Sequence, residues 1–204
     1  MSTNGFDGRA ATWDDDPAHV ARAAAVALAI RAVVPLGTSM RVLEYGAGTG
    51  LVTQALRNEV GPVTLADTST GMRDVISDKI AAGLITDARV WDLDLATESA
   101  PDETFDLIVT VMTLHHIPHV ETVLSRFAEL LVEGGHLCIV DLEEEDGSFH
   151  GDDFHGHRGF VRATLAAQLS EAGFTDVTFE QCHHVVRHGV TYPLFLATCA
   201  RAHR

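Results

Sequence analysis

The stretch VLEYGAGTG, residues 42–50, joins a short apolar run to three glycines at alternate positions. Residues 41–45 have the length and composition of a buried strand, and apolar residues after Gly50 recur at helical spacing. Glycines between a strand and a helix allow a tight turn and let a ligand approach the backbone closely. In an open α/β sheet, ligands bind at the carboxyl ends of the strands. The stretch therefore predicts the first strand of such a sheet, with a binding loop at its end.

The alternation of strand and helix extends in both directions from this stretch. A helix is predicted at residues 18–34, and further strands are predicted at residues 63–66, 89–93, 105–112 and 136–142. Residues 105–112, FDLIVTVM, are almost continuously apolar, which is typical of a strand covered on both faces. Two last strands are predicted at residues 176–182 and 192–200. The segment between them is too short for a crossover helix, so we expect them to pair antiparallel. The pattern predicts a three-layer α/β fold with a doubly wound, mostly parallel sheet.

Size and charge exclude several classes of protein. The chain has 204 residues, which suits a single domain, with an N-terminal arm and helix at residues 1–35 and the binding domain at 36–204. The formal net charge of −15 disfavours nucleic acid as a partner. The longest apolar run, residues 23–30, is much shorter than the roughly 20 residues that span a bilayer. Three widely spaced cysteines without a CxxC pair favour reduced thiols. We predict a cytoplasmic protein with a small-molecule substrate and without nucleic-acid or membrane partners.

The spacing of the glycines bears on the choice of cofactor. In the dinucleotide fingerprint GxGxxG the third glycine would occupy the position of Leu51. The carboxylate of Glu44, just before the loop, is an unfavourable neighbour for a pyrophosphate and suits a cofactor that carries an ammonium group. A nicotinamide-dependent oxidoreductase is therefore a disfavoured hypothesis for the function of this chain. A non-catalytic cofactor-binding module is a further alternative.

Residues 42–50 resemble the first motif of class I S-adenosylmethionine-dependent methyltransferases. Three other stretches extend the resemblance, namely ADTSTGM at 66–72, DLDLATESAPDETFDLIVTVMTLHHI at 92–117 and LLVEGGHLCIVDLEEEDGSFHG at 130–151. EDGSFHG followed by HRGF is similar to a subgroup of small bacterial and fungal enzymes of the type 11/12 kind, although Arg158 replaces a histidine of that subgroup. The resemblance covers residues 36–200. It implies a Rossmann-like sheet of seven strands with the last strand antiparallel, and a methyltransferase that uses S-adenosylmethionine and releases S-adenosylhomocysteine.

The resemblance also implies which residues contact the cofactor. Gly46 and Gly48 would lie under the methionine and ribose, with Tyr45 and Thr49 in the same loop, and Glu44 would orient the loop or meet the amino group. Asp67 would accept the ribose hydroxyls, Thr68 and Met72 would lie beside the adenine, and Asp94 and the Leu95 amide would lie at the adenine edge. The backbone near Met112 would meet the amino end, and Trp13 would cap the site from the arm.

Five of these roles have a simpler alternative. Glu44 is equally suited to orienting the loop alone, and Asp67 to capping the helix that follows it. Asp94 can be a solvated loop acid, Met72 a core residue, and Trp13 a side chain packed against the first helix.

Methyl transfer requires no protein nucleophile, so the candidate catalytic groups are acids and bases. His115 and His116 follow the fourth strand, and they either accept a proton from the substrate or hold the loop and contact the cofactor. The acidic and histidine-rich residues 143–157 are either a solvated loop or a substrate lid with Asp146 and His150 pointing inward. A metal site is the third alternative, and because no regular ligand spacing supports it we predict none. An acidic mouth would attract cationic or neutral ligands.

Overall fold

The structure is a computed structural model and describes residues 4–151 and 153–203. These residues form a sheet of seven strands in the order β3-β2-β1-β4-β5-β7-β6. The strands are β1 Val42–Tyr45, β2 Val63–Ala66, β3 Ala88–Trp91, β4 Phe105–Val111, β5 Leu131–Leu142, β6 Phe174–Arg187 and β7 Val190–Arg201. Strands β1 to β5 pair in parallel, whereas β7 lies between β5 and β6 and runs antiparallel to both. The predicted doubly wound sheet with an antiparallel last strand is confirmed.

Among the described residues, six α-helices connect or flank these strands. They are α1 Asn4–Asp7, α2 Pro17–Val33, α3 Leu51–Leu56, α4 Thr70–Ala81, α5 Val120–Leu130 and α6 Arg162–Glu171, with 3-10 helices at Ala10–Asp15 and Leu114–His116. Helix α2 begins where the Asp16 carboxylate accepts a hydrogen bond of 2.8 Å from the Ala18 amide. Pro17 suits the next position because its missing N–H would have no partner in the first turn.

Helices cover both faces of the sheet, and each face has its own hydrophobic cluster. One cluster contains Phe127 of α5, and the other contains Ile30 of α2. Within β4, Ile108 belongs to the first cluster, while Leu107 and Val109 belong to the second. Successive side chains of a strand point to opposite faces, so a central strand covered twice is apolar at almost every position.

The register of the parallel strands places their carboxyl ends at one edge. Tyr45 at the end of β1 pairs with Ala66 of β2 and with Thr110 of β4, and Val111 of β4 pairs with Val140 of β5. The order of the strands reverses between β1 and β4, since β2 and β3 lie on one side of β1, and β4 and β5 lie on the other. Ligands bind at such a reversal because the connections leave in opposite directions there and open a crevice.

Several boundaries differ from the predicted ones. Strand β5 starts at residue 131 instead of 136, and β6 continues to residue 187 instead of 182. Antiparallel pairing with β7 holds β6 up to Arg187, and no local apolar pattern predicts that extension. Within the described residues, no helix has the length and apolar character needed to cross a bilayer.

Candidate functional site

The glycine loop between β1 and α3 has a left-handed backbone at its three glycines. Gly46, Gly48 and Gly50 have φ angles of 68°, 57° and 78°, which side chains other than glycine adopt at a cost. A Cβ atom at Gly46 would lie 2.2 Å from Oγ1 of Thr113, which follows β4. A Cβ at Gly48 would meet no heavy atom within 4 Å. The loop is thus closely packed at Gly46 and faces open space at Gly48.

Asp67 lies beside that open space, at the end of β2. Its Oδ2 accepts a hydrogen bond of 2.8 Å from the Gly48 amide, and its Oδ1 accepts one of 2.9 Å from the Ser69 amide. Burial raises the pKa of the Asp67 carboxyl, although the two amides oppose the shift. A carboxylate offers about four acceptor positions, so about two remain for the hydroxyl groups of a ligand.

Glu44 is buried beneath the loop and binds helix α3. Its Oε2 accepts a hydrogen bond of 3.0 Å from the Thr53 amide and another from the Thr53 hydroxyl. This arrangement matches the loop-orienting alternative for Glu44. Burial raises the pKa of the carboxyl to about 7, and the bonds from Thr53 and the charge of Lys79 oppose that shift only in part.

The raised pKa of Glu44 predicts a pH-dependent stability. The group binds a proton more tightly in the folded chain than in the unfolded chain, where its pKa is close to 4.5. Its contribution is therefore fully present below about pH 4.5 and is lost as the pH rises through about 7, a change on the order of 3 kcal/mol. Urea unfolding of the unliganded protein across this range should show a steeper loss of stability in the wild type than in Glu44→Gln.

A surface carboxylate supplies the control for this measurement. Glu59 is partly exposed and paired with Arg31, which lowers its pKa. Glu59→Gln should leave the loss of stability between pH 4.5 and 7 as steep as in the wild type. Equal slopes for wild type and Glu44→Gln would contradict the assignment.

The predicted adenine contacts have partners within the protein. Asp94 accepts hydrogen bonds from the Ala96 amide at 2.9 Å and from the Thr97 hydroxyl at 3.0 Å, so it also caps a turn. The Leu95 amide donates to the buried Tyr45 hydroxyl at 3.1 Å. This bond uses the amide that the resemblance assigns to the adenine, and the two roles compete.

Three other predicted contacts differ in exposure. Met72 is buried in the first turn of α4, whereas Thr68 is exposed just before that helix. Met112 has a left-handed backbone with a φ of 54°, and its amide donates to the Val140 carbonyl at 2.8 Å. The end of β4 thereby turns sharply beside the glycine loop.

The N-terminal arm is ordered by contacts that the sequence analysis does not predict. The Asp7 carboxylate accepts hydrogen bonds from the Ser69 hydroxyl at 2.5 Å and from the Gly71 amide at 3.0 Å. The Asp14 carboxylate accepts one from the Thr49 hydroxyl at 2.5 Å and also pairs with Lys79 at 2.5 Å. The arm is therefore bound to both the glycine loop and α4.

Trp13, the predicted cofactor cap, packs within this arm. Its ring stacks on His19 of α2 with the centroids 4.0 Å apart, and the His19 ring is hydrogen-bonded to the Trp13 carbonyl. This packing matches the simpler alternative for Trp13. The aromatic side chain that extends from the arm toward the fourth strand is instead Phe6, whose ring meets the edge of His116 at 5.5 Å.

Three histidines converge at the ends of β4 and β5. His115 and His116 form the 3-10 helix after β4, and His150 comes from the loop after β5. The ring centroids of His115 and His116 are 4.0 Å apart, and that of His150 lies 5.1 Å from the first and 5.2 Å from the second. His115 is 1% exposed, and its Nδ1 lies 2.6 Å from Oδ1 of the buried Asp141 at the end of β5.

Burial keeps two of these rings uncharged. The pKa of His116 is lowered to about 2, chiefly by burial and then by the neighbouring His115 and His150. Burial, followed by the neighbouring His115 and Arg187, lowers the pKa of His150 to about 4. Both imidazoles therefore offer lone pairs at neutral pH.

Asp146 does not join the three histidines. Its predicted inward orientation is wrong. The side chain is exposed, and its carboxylate accepts a hydrogen bond of 3.0 Å from the Ser148 amide. Such a turn holds an Asp side chain close to its own backbone, which keeps it away from the histidines. His150 of the predicted pair does lie inside. Asp152, another acid of this segment, is outside the described residues.

Comparison with known proteins identifies the family to which the chain belongs. A family model described as a methyltransferase domain matches residues 18–178. The chain belongs to this methyltransferase-domain family. An uncharacterized methyltransferase of Mycobacterium bovis is 35% identical over 109 residues, which are 53% of each chain. The biotin biosynthesis bifunctional protein BioCD of Bordetella avium is 34% identical over 143 residues, 69% of this chain and 30% of that protein. The methyltransferase-domain chain thus spans about half the length, or less, of these curated relatives.

Solved structures share the fold at low sequence identity. The N-methyltransferase NodS of Bradyrhizobium japonicum has a TM-score of 0.69 at 20% identity and covers 93% of this chain and 99% of its own. Phosphoethanolamine N-methyltransferase 2 of Haemonchus contortus, in complex with S-adenosylhomocysteine, has a TM-score of 0.74 at 16% identity, covering 87% of this chain and 52% of its own. Both likenesses concern the methyltransferase fold alone.

Proposed function

We propose that this chain transfers the methyl group of S-adenosylmethionine to a small-molecule acceptor. One observation supports the proposal above all others. The open space at Gly48 adjoins the Asp67 carboxylate, which keeps acceptor capacity for two hydroxyls. A ribose fits these groups, and the related fold from Haemonchus contortus contains S-adenosylhomocysteine.

The protein's contribution to the reaction is to position two reactants and exclude water. The cofactor supplies an electrophilic methyl group on a sulfonium, which the acceptor attacks in line. Asp67 would hold the ribose, and the backbone around Gly46 and Met112 would hold the amino-acid end. Glu44 stabilises the loop through Thr53. Arm contacts from Asp7 and Asp14 would close the site over the cofactor.

The histidines are poorly suited to removing a proton from the acceptor. A general base is most effective when its pKa lies near the working pH, and His116 and His150 have pKa values lowered to about 2 and about 4. Nδ1 of His115 is engaged by Asp141. We propose that an acceptor which loses a proton does so without one of these three imidazoles acting as the base.

The remaining expectations concern where the chain works and with what. We propose a cytoplasmic enzyme of one structural domain, with residues 1–35 forming the arm and first helix. The net charge of −15 supports neutral or cationic ligands over nucleic acid. Unpaired Cys138, Cys182 and Cys199 support a reducing compartment.

Removing the Asp67 carboxylate is expected to weaken S-adenosylhomocysteine binding by more than tenfold. The lost charge-assisted hydrogen bonds correspond to roughly 1.5–3 kcal/mol. Calorimetric titration of Asp67→Ala beside the wild type measures the difference. The control is Asp92→Ala, because Asp92 is an exposed acid that follows β3, the strand next to β2, and pairs with Arg73. It should bind within about twofold of the wild type, a difference of less than roughly 0.5 kcal/mol.

The alternative functions have their own signatures. Thermal stabilisation by NAD without any by S-adenosylhomocysteine would identify the oxidoreductase. Absence of S-adenosylhomocysteine binding at millimolar ligand would rule out the proposed function. Binding without turnover, in a screen of acceptors with radiolabelled S-adenosylmethionine, would identify a non-catalytic module.

A further inference from the structure

His115, His116 and His150 lie close together, and each has a buried ring nitrogen without a partner among the described residues. Nε2 of His115, Nδ1 of His116 and Nε2 of His150 have no hydrogen-bond partner among the described residues. One ring nitrogen of each histidine lies within 4.8 Å of one in the other two. A buried polar atom without a partner costs about 1–3 kcal/mol, so three in one place indicate that something else satisfies them.

A buried carboxylate fixes the orientation of one of these rings. Asp141 accepts from Nδ1 of His115 at 2.6 Å, and its oxygens also accept from the backbone amides of His115 and Leu142 at 3.2 and 2.8 Å. The proton of His115 therefore resides on Nδ1, and its Nε2 lone pair points away from Asp141. A carboxylate behind an imidazole in this way is the usual outer support of a metal-bound histidine.

Aromatic side chains surround the cluster. Phe154 stacks on His150 with the centroids 3.9 Å apart, and its edge meets His116 at 5.5 Å. The ring of Phe6 also contacts His116, with the centroids 5.5 Å apart. An apolar shell limits the access of water and lowers the local dielectric, which strengthens binding of an ion by its ligands.

We propose that His115, His116 and His150 form a binding site for a divalent transition-metal ion, with Zn²⁺ the best match. Neutral imidazoles suit Zn²⁺, and three histidines with a fourth position left open are a recurrent arrangement for this ion. Zn–N bonds of about 2.0–2.1 Å require nitrogens about 3.3 Å apart in a tetrahedral site. The rings must therefore move closer by up to about 1.5 Å. His150 stands between Gly147 and Gly151, both with left-handed backbone, in a loop that can accommodate this shift.

The site adjoins the glycine loop through Thr113, whose hydroxyl lies 3.4 Å from the Gly46 carbonyl. His115 follows two residues later. If the proposed methyl transfer is correct, an acceptor with a thiol, hydroxyl or amine can occupy the fourth ligand position and be oriented there. This part rests on the proposed function, whereas metal binding itself does not.

Metal titration of the untagged chain tests the site. The protein is stripped with chelator and titrated with Zn²⁺ against a competing indicator, and separately with Co²⁺, whose visible absorption distinguishes tetrahedral nitrogen coordination. The expected result is one ion per chain. His116→Ala and His150→Ala should each weaken Zn²⁺ binding by at least about 100-fold, and Asp141→Asn by about 10–100-fold.

The matched control is His157→Gln. His157 is a neighbouring histidine of the same loop whose Nε2 also lacks a partner among the described residues, but it is outside the group of three. His157→Gln should keep wild-type affinity for Zn²⁺. The double variant His183→Ala/His184→Ala on β6 should also keep it. Binding of less than about 0.2 ion per chain, or binding unaffected by both His116→Ala and His150→Ala, would overturn the proposal.

Two further measurements are needed to interpret a loss of metal binding. One tests whether the variants fold, and the other tests whether the cofactor site is intact. Circular dichroism establishes that the variants fold, which matters most for the buried Asp141. S-adenosylhomocysteine affinity, measured on the same samples, tests the cofactor site alone. Wild-type protein that binds Zn²⁺ but no S-adenosylhomocysteine would support the metal site and contradict the proposed function, and the opposite result would do the reverse.

Discussion

Gly48→Leu is expected to weaken S-adenosylhomocysteine binding by more than about 100-fold, which corresponds to about 2.7 kcal/mol. A Cβ at this position meets no heavy atom within 4 Å, so a leucine side chain has room to extend into the space beside Asp67. In the proposed function that space belongs to the ribose. The folded protein should persist, since the added Cβ meets no protein atom within 4 Å and the left-handed backbone costs roughly 1–2 kcal/mol. Calorimetric titration with S-adenosylhomocysteine measures the loss.

Gly83→Leu is the matched control for this experiment. Gly83 has a φ of 72° and open surroundings like those of Gly48, but it follows α4 at an exposed position. The cost of a left-handed backbone, roughly 1–2 kcal/mol, is common to both variants. Equal S-adenosylhomocysteine affinities for Gly48→Leu and Gly83→Leu would show that the ligand does not occupy the space at Gly48.

Gly46→Ala is expected to lower the free energy of unfolding by about 3 kcal/mol. The added Cβ would lie 2.2, 2.4 and 2.8 Å from Oγ1, Cγ2 and Cβ of Thr113, so the loop and the end of β4 must separate. Overpacking of this kind costs about 1–3 kcal/mol, and the left-handed backbone adds about 1–2 kcal/mol. Urea denaturation of the unliganded protein measures the change.

A second substitution isolates the contact from the backbone strain. In a Thr113→Ala background two of the three clashing atoms are gone, so Gly46→Ala should cost at least about 1 kcal/mol less there. Gly83→Ala, with a similar φ and no neighbour within 4 Å, gives the strain alone. A cost for Gly46→Ala that equals the cost for Gly83→Ala would mean that Thr113 does not resist the new methyl group.

Local patterns were sufficient to place the parallel strands β2 and β4, although not the full lengths of β5 and β6. Strand β2 coincides with the predicted residues 63–66, and β4 ends one residue before the predicted 112, because buried parallel strands are apolar on both faces. Asp67 follows β2 directly, so the parallel register alone predicts that it lies beside the glycine loop. Those features depend on residues close together in the chain.

The arm and the histidine cluster depend on contacts between distant segments. Asp7 binds Ser69, which is 62 residues away, and no periodicity marks either residue as a partner. The cluster combines His115 and His116 with His150 from another loop, and its support, Asp141, lies on a third segment. Ligand spacing along a single element, the usual signal for a metal site, is absent from such an arrangement.

Lys79 is the chain's single lysine, and its surroundings have a practical consequence. Its amino group is buried, donates to the Thr49 carbonyl at 2.7 Å and pairs with Asp14 of the arm. A deprotonated amine attacks an acylating reagent, and the Lys79 amine is enclosed by Thr49, Gln54 and Asp14 while the arm is in place. The side chain therefore becomes more accessible to the reagent when the arm that carries Asp14 withdraws. The rate of acylation at this one residue therefore reports how often the arm lifts from the glycine loop, without an engineered probe in the chain.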